Sequence, residues 1–233
     1  MLTEPQIPEQ WSEAERWAWG EIRAGRIADF HQRYDEALDP KEPNGWDDEQ
    51  KDRRLSQAFL LTILTEESFR CVTPFKGVRI NGACFEETVD LQHARLERQL
   101  WLEHCRFYGS LKLMNLHLNG WFSLESSWLS GAIDLNGAVL DSHVFLTHAK
   151  IAGMVDLTAA RIGGQLEMDG STFDSLLTLN ATEVSQNLFM SQKATFNEVE
   201  LTAAKIGGQL EMDGSSFNKL LNMNGTEIGR DLL

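Results

Sequence analysis

The feature that most constrains this chain is a step of 11. From residue 78 onward, apolar pairs two residues apart recur at 78 and 80, 89 and 91, 100 and 102, and so on to 221 and 223. All 28 positions so defined are apolar, although only 42% of the chain is; chance agreement is on the order of 10^-11 before correction for register. Residues 157–180 return almost unchanged as residues 201–224, a separation of 44. A fixed internal period of this kind means stacked units that bury a continuous core only against each other.

Each unit carries a second inward pair, a small residue and then a large one, such as Ala83 with Phe85 and Ala94 with Leu96. At a spacing of 22, the large positions sort into one column beginning Phe85, Phe107, Leu129, Ile151 and another beginning Leu96, Leu118, Leu140, Ile162. The separation of aromatic from aliphatic columns predicts a 22-residue coil with like side chains stacked on like. A shift of one residue between Lys193 and Phe196 predicts a local bulge. Asn81-Gly82, Asn136-Gly137, Asp169-Gly170, Asp213-Gly214 and Asn224-Gly225 place Gly where a tight corner needs positive φ. Four short faces and four corners per coil, with rungs roughly 4.8 Å apart, make about seven coils and a rod roughly 34 Å long.

Units such as AGMVDLTAARI and GGQLEMDGSTF make residues 78–233 resemble the pentapeptide-repeat proteins. That resemblance implies a right-handed quadrilateral β-helix. The chain departs from the family's even five-residue step by alternating five and six, which leaves a flatter solenoid of another class as the alternative cross-section. The expected architecture is thus mainly β, with residues 1–76 forming a helical N-terminal domain or cap and residues 77–233 the solenoid. In the cap, apolar residues from Trp11 to Tyr34 predict one helical stripe, residues 39–47 a loop, and Asp47 and Asp48 the start of a second helix running to about Ser68.

Composition narrows the function classes. Formal net charge is -14, so the long-range field opposes nucleic acid and anionic membranes as direct partners. The opening residues MLTEPQIPEQ lack the positive start and apolar run of a secretory signal, and three cysteines without a CxxC pair suit reduced thiols. A soluble cytoplasmic protein is expected. No phosphate loop, GxSxG elbow, HExxH or dinucleotide fingerprint occurs, so no cofactor, metal or catalytic residue is assigned and a non-enzyme is expected. His104 and His148 fall two coils apart, roughly 9.6 Å, which is too far to share an ion.

Two outward columns are candidate surfaces. One reads Arg79, Trp101, Ser123, Phe145, Glu167, Phe189, Glu211, with Trp121 and Trp128 nearby in sequence; Trp101, Trp128, Phe145 and Phe189 are the candidate anchors for a protein partner. The competing expectation is that the N-terminal helices, with Trp11, Trp17 and Trp19, fold back over this face. The other column reads Asp90, Lys112, Asp134, Asp156, Thr178, Glu200, Asn222. For it, the family resemblance implies an acidic DNA mimic in which Asp90, Asp134, Asp156 and Glu200 stand in for phosphates toward a type II topoisomerase such as DNA gyrase, against the plainer reading of solvated carboxylates. At the C-terminus Leu232 opens another unit with no polar cap after it, so either a homodimer through that end of the solenoid or a longer repeat chain is expected.

Overall fold

The structure, a computed structural model, describes residues 5–233. It is mainly β: a parallel β-solenoid of about 7 turns with coils of ~22 residues, preceded by a few helices. Four columns of short strands run along it among the described residues. The first extends from Val78–Asn81 to Leu210–Glu211, the second from Cys84–Phe85 to Ser216–Phe217, the third from Val89–Asp90 to Leu221–Asn222 and the fourth from Arg95–Leu96 to Glu227–Ile228. Every rung pairs in parallel with the next, as in Val78 with Leu100 and Phe122 with Val144.

The 11-residue period produces this because inward and outward positions alternate within each two- to four-residue strand. Of the inward positions named by the period, only Met212, Leu221 and Met223, in the last coil, are not fully buried. Like stacks on like: the Phe85 and Phe107 rings lie 4.7 Å apart and nearly parallel, and Phe173, Phe196 and Phe217 continue the ladder at 5.1 and 5.3 Å. The small inward slots also carry hydroxyls. Ser127 donates to the Leu102 carbonyl at 2.9 Å, and Thr182, Ser215 and Thr226 reach equivalent carbonyls of the preceding coil at 2.6 to 2.7 Å. Such bonds satisfy buried donors that would otherwise be costly.

The corners follow the sequence reading and extend it. Gly137 and Gly170 both have φ 64°, and Gly82 has φ 70°. Corresponding corners are occupied by His93, His104, Asn115, Ser126 and His148, all at positive φ. Three-residue corners use glycine for a different reason: a Cβ on Gly131 would sit 2.5 Å from the Gly109 carbonyl oxygen one coil below. The bulge is where the sequence placed it. Thr172 pairs with Thr195 while Leu177 pairs with Val199, and both Gln192 and Lys193 have positive φ. In the same region Thr172–Thr178 and Thr195–Glu200 run unbroken through the corner between the second and third columns.

The N-terminal segment closes the first coil. Helix α1 (Glu13–Arg23) begins with a capping box in which Ser12 and Glu15 bond each other's backbone amides. Buried Glu15 also accepts from the backbone and hydroxyl of Ser56, the N-cap of α2 (Gln57–Thr65), and so ties the two helix starts together. The predicted single stripe is broken at Gly25, φ 74°, after which Ala28–Asp29 adds as a parallel strand to the start of the first column. After a short helix at Phe30–Tyr34, Asp48 caps only a 3-10 turn, Glu49–Lys51, and the longer helix expected to follow it begins at Gln57. The Asp48 and Asp52 carboxylates instead accept from the amides of Gln50 and Arg54, and the intervening chain bridges to Cys84. Trp11 and Trp19 pack with Phe59 and Phe69 inside this cap, and Trp17 packs on Phe30. Their ring contacts are within the cap, which meets the aromatic column at Arg79, bonded to the Gly25 carbonyl at 2.8 Å. At the other end Leu220, Leu232 and Leu233 are more than half exposed.

Candidate functional site: an aromatic cluster on the first face

The first column presents Trp101, Ser123 and Phe145 on successive rungs. The small residue between two rings leaves a notch, and the indole of Trp121, which enters from the adjoining corner, occupies it. Trp121 lies 5.9 Å from Trp101 in a near-parallel stack and 5.6 Å from Phe145 edge-on. His143 completes the group at 5.9 Å from Trp121 and 6.0 Å from Phe145. Ser123 beneath is 2% exposed, whereas Trp121 is 41% exposed. The His143 Nδ1 accepts the Gln165 amide at 3.2 Å, which fixes the ring and leaves a proton for Nε2 in the neutral form. Trp101 is held from the cap side by the Arg79 guanidinium, 5.5 Å from its ring. Its indole N–H is buried without a partner among the described residues.

Carboxylates border the rings. Glu103 accepts from the Ser123 hydroxyl at 2.6 Å; burial raises its pKa despite that bond. Glu167 follows Phe145 in the same column and Phe189 follows Glu167. Burial raises the Glu167 pKa as well, against the hydrogen bond from Gln165. Neither carboxylate has a cation in salt-bridge contact among the described residues, in contrast to Arg161 and Glu183 on the fourth face.

Of the four anchors expected from sequence, Trp101 and Phe145 come together, Phe189 stands two rungs beyond Phe145, and Trp128 does not join them. Trp128 lies on the second face, with the Arg106 guanidinium 4.0 Å over its ring and Tyr108 5.7 Å away. Arg106, 5% exposed, donates to the carbonyls of Pro40 and Glu42, so Trp128 helps pin the residue 39–47 loop to the solenoid. Trp121, nearby in sequence but not among the expected anchors, is the ring that joins Trp101 to Phe145. Its signal was the small Ser123 between two large outward residues, which makes room for a neighbour from the corner.

The acidic column has the expected register, with Asp134 directly beside Asp156. Lys112 separates Asp90 from Asp134, and Thr178 separates Asp156 from Glu200. These carboxylates are locally engaged. Asp90, Asp134 and Asp156 each accept the backbone N–H two residues on, at 3.1, 3.0 and 2.8 Å, and Glu200 accepts from the Asn180 amide at 2.7 Å. The three aspartates act as turn-forming side chains that stabilise the corner after the third face, and Glu200 ties its coil to the one before. His104 lies against His31 of the cap, ring centres 5.8 Å apart. No group of three or more metal-ligating side chains occurs among the described residues, and no helix there is long and apolar enough to cross a membrane.

Compared with known proteins, the chain matches no family model, no curated protein and no solved structure at a significant level.

Proposed function

We propose that this protein is a non-enzymatic interaction scaffold of the pentapeptide-repeat kind, whose first face docks a protein partner. The observation that carries the reading is the ring cluster in which exposed Trp121 stands among the half-buried Trp101, His143 and Phe145. Clustered exposed aromatics mark interaction surfaces more often than solvated ones, and Trp is favoured among residues that dominate binding energy. A backbone ladder running unbroken from coil to coil holds the rings in place before the partner arrives, so little ordering cost is left for binding. The test is the double variant Trp121→Ser, Phe145→Ser. Partner capture should be lost while the thermal transition stays within about 3 °C of the parent; a large drop in the transition would make the rings part of the core and overturn the reading.

A second reading, an acidic mimic that modulates DNA gyrase, draws support from the net charge of -14 and the adjacent Asp134 and Asp156. Turn hydrogen bonds at those carboxylates and the interruption by Lys112 favour it less. It requires salt-sensitive inhibition of supercoiling that is abolished by Asp134→Lys with Asp156→Lys.

A further inference from the structure

Beyond the four-ring cluster, the first column continues as Phe145, Glu167, Phe189, Glu211 on consecutive rungs. Each carboxylate therefore has an aromatic neighbour about 4.8 Å away along the solenoid, and Glu167 has one on both sides. We propose that the Phe145–Glu167–Phe189 column receives an arginine or lysine side chain of the protein partner. This rests on the docking reading of the first face and names the chemistry of what docks there.

The argument is one of elimination by charge and solvation. An apolar partner covering Phe145 and Phe189 would also cover Glu167, and an ionised carboxylate taken from water without a counter-charge is strongly unfavourable. Burial already raises the Glu167 pKa in the free protein, and its hydrogen-bond partner, Gln165, is neutral. An acidic partner meets both that carboxylate and the field of a chain at -14. A guanidinium or ammonium satisfies both kinds of neighbour at once, pairing with the carboxylate while lying against ring faces that carry negative quadrupole. The chain uses the same contact internally: Arg79 lies over Trp101 on this column, Arg106 over Trp128 and Arg33 over Trp17. Arg79 supplies the cation at the cap end of the face. At Glu167 and Glu211 no cation of the chain makes an ion pair among the described residues.

The test is fluorescence anisotropy with a labelled (Gly-Arg)6 peptide and its citrulline counterpart, which keeps the shape and loses the charge. The arginine peptide should bind the full chain and the citrulline peptide about tenfold more weakly. Glu167→Gln with Glu211→Gln should weaken the arginine peptide by about tenfold, and Phe145→Leu with Phe189→Leu by several-fold. Asp134→Asn with Asp156→Asn removes the same net charge from another face while keeping an acceptor for each turn amide, and should change binding less than about twofold. Equal weakening by the two charge-neutral pairs would reduce the effect to overall charge and overturn the proposal. So would equal binding of the citrulline peptide, or displacement of the peptide by neutral cellohexaose, which would make the rings a sugar platform. Loss of partner capture in Trp121→Ser, Phe145→Ser, measured separately, would leave the docking reading standing even then.

Discussion

The first and third faces come from the same repeat and share one strand geometry, yet the first turns four polar residues and three aromatic ones outward, the third seven polar residues and no ring, and the two faces use their polar groups differently. On the third face Asp90, Asp134 and Asp156 spend their acceptors on backbone amides two residues on. On the first face Ser123 makes the equivalent bond, a longer one of 3.3 Å from the Glu125 amide, while inward hydroxyls hold the corners after both faces, Ser127 and Ser215 after the first and Thr182 and Thr226 after the third. Arg79 there bonds the Gly25 carbonyl of the cap, the Glu167 carboxylate accepts from the Gln165 side chain and from no turn amide among the described residues, and rings gather over Ser123. A solenoid face becomes available for binding when its side chains are released from holding the turns.

The sharpest way to break this comparison is between two consecutive residues. Leu146 is inward and fully buried, Phe145 outward and half-buried. Leu146→Ala should cost about 2–5 kcal/mol in urea unfolding, whereas Phe145→Ser should cost about 1 kcal/mol or less; similar losses would mean that the first face is core. Next in size, Asp134→Ala and Asp156→Ala should each lose about 0.5–1.5 kcal/mol through the missing turn bond, while Glu167→Gln should lose nothing at pH 7.

The pH dependence of stability separates the faces further. Glu103 and Glu167 have raised pKa values through burial, so their neutral forms suit the folded state better. Their stabilising contribution is complete below the ordinary carboxylate pKa and is lost as pH rises through the raised one. The thermal transition of Glu103→Gln should therefore vary less than the parent's between about pH 4 and 7; a steeper profile in the variant would reverse the assignment. Smallest in signal is thiol counting at pH 8. Burial pushes the Cys84 thiol up to about 12 and raises Cys105 also, while Cys71 is exposed. Native protein should react at Cys71 alone, and all three thiols should react in urea; rapid native labelling of Cys84 would mean that the segment around Arg54 does not stay on the first coil.

Much of this architecture is legible in the sequence because repetition multiplies a weak local signal: Val89 alone says little, but its counterparts at every coil fix which side is inward. Gly137 and Gly170 announce their corners, whereas His104 and Ser126 adopt the same positive φ unannounced, since stacking between coils overrides their preference. Asp48 caps a helical turn as the sequence suggests, but the turn ends at Lys51 because residues after Asp52 pair with Cys84, a long-range contact that no local signal reports. Trp121 and Trp128 both lie near the column in sequence, and that neighbourhood says nothing of which corner a ring reaches across.

The measurement that tests the central claim most directly is photo-crosslinking in cells with p-benzoylphenylalanine placed at Phe145 on the first face or at Lys112 on the third. A discrete protein adduct from position 145, and none from position 112, is the predicted result. Adducts from position 112 with none from position 145 would contradict it.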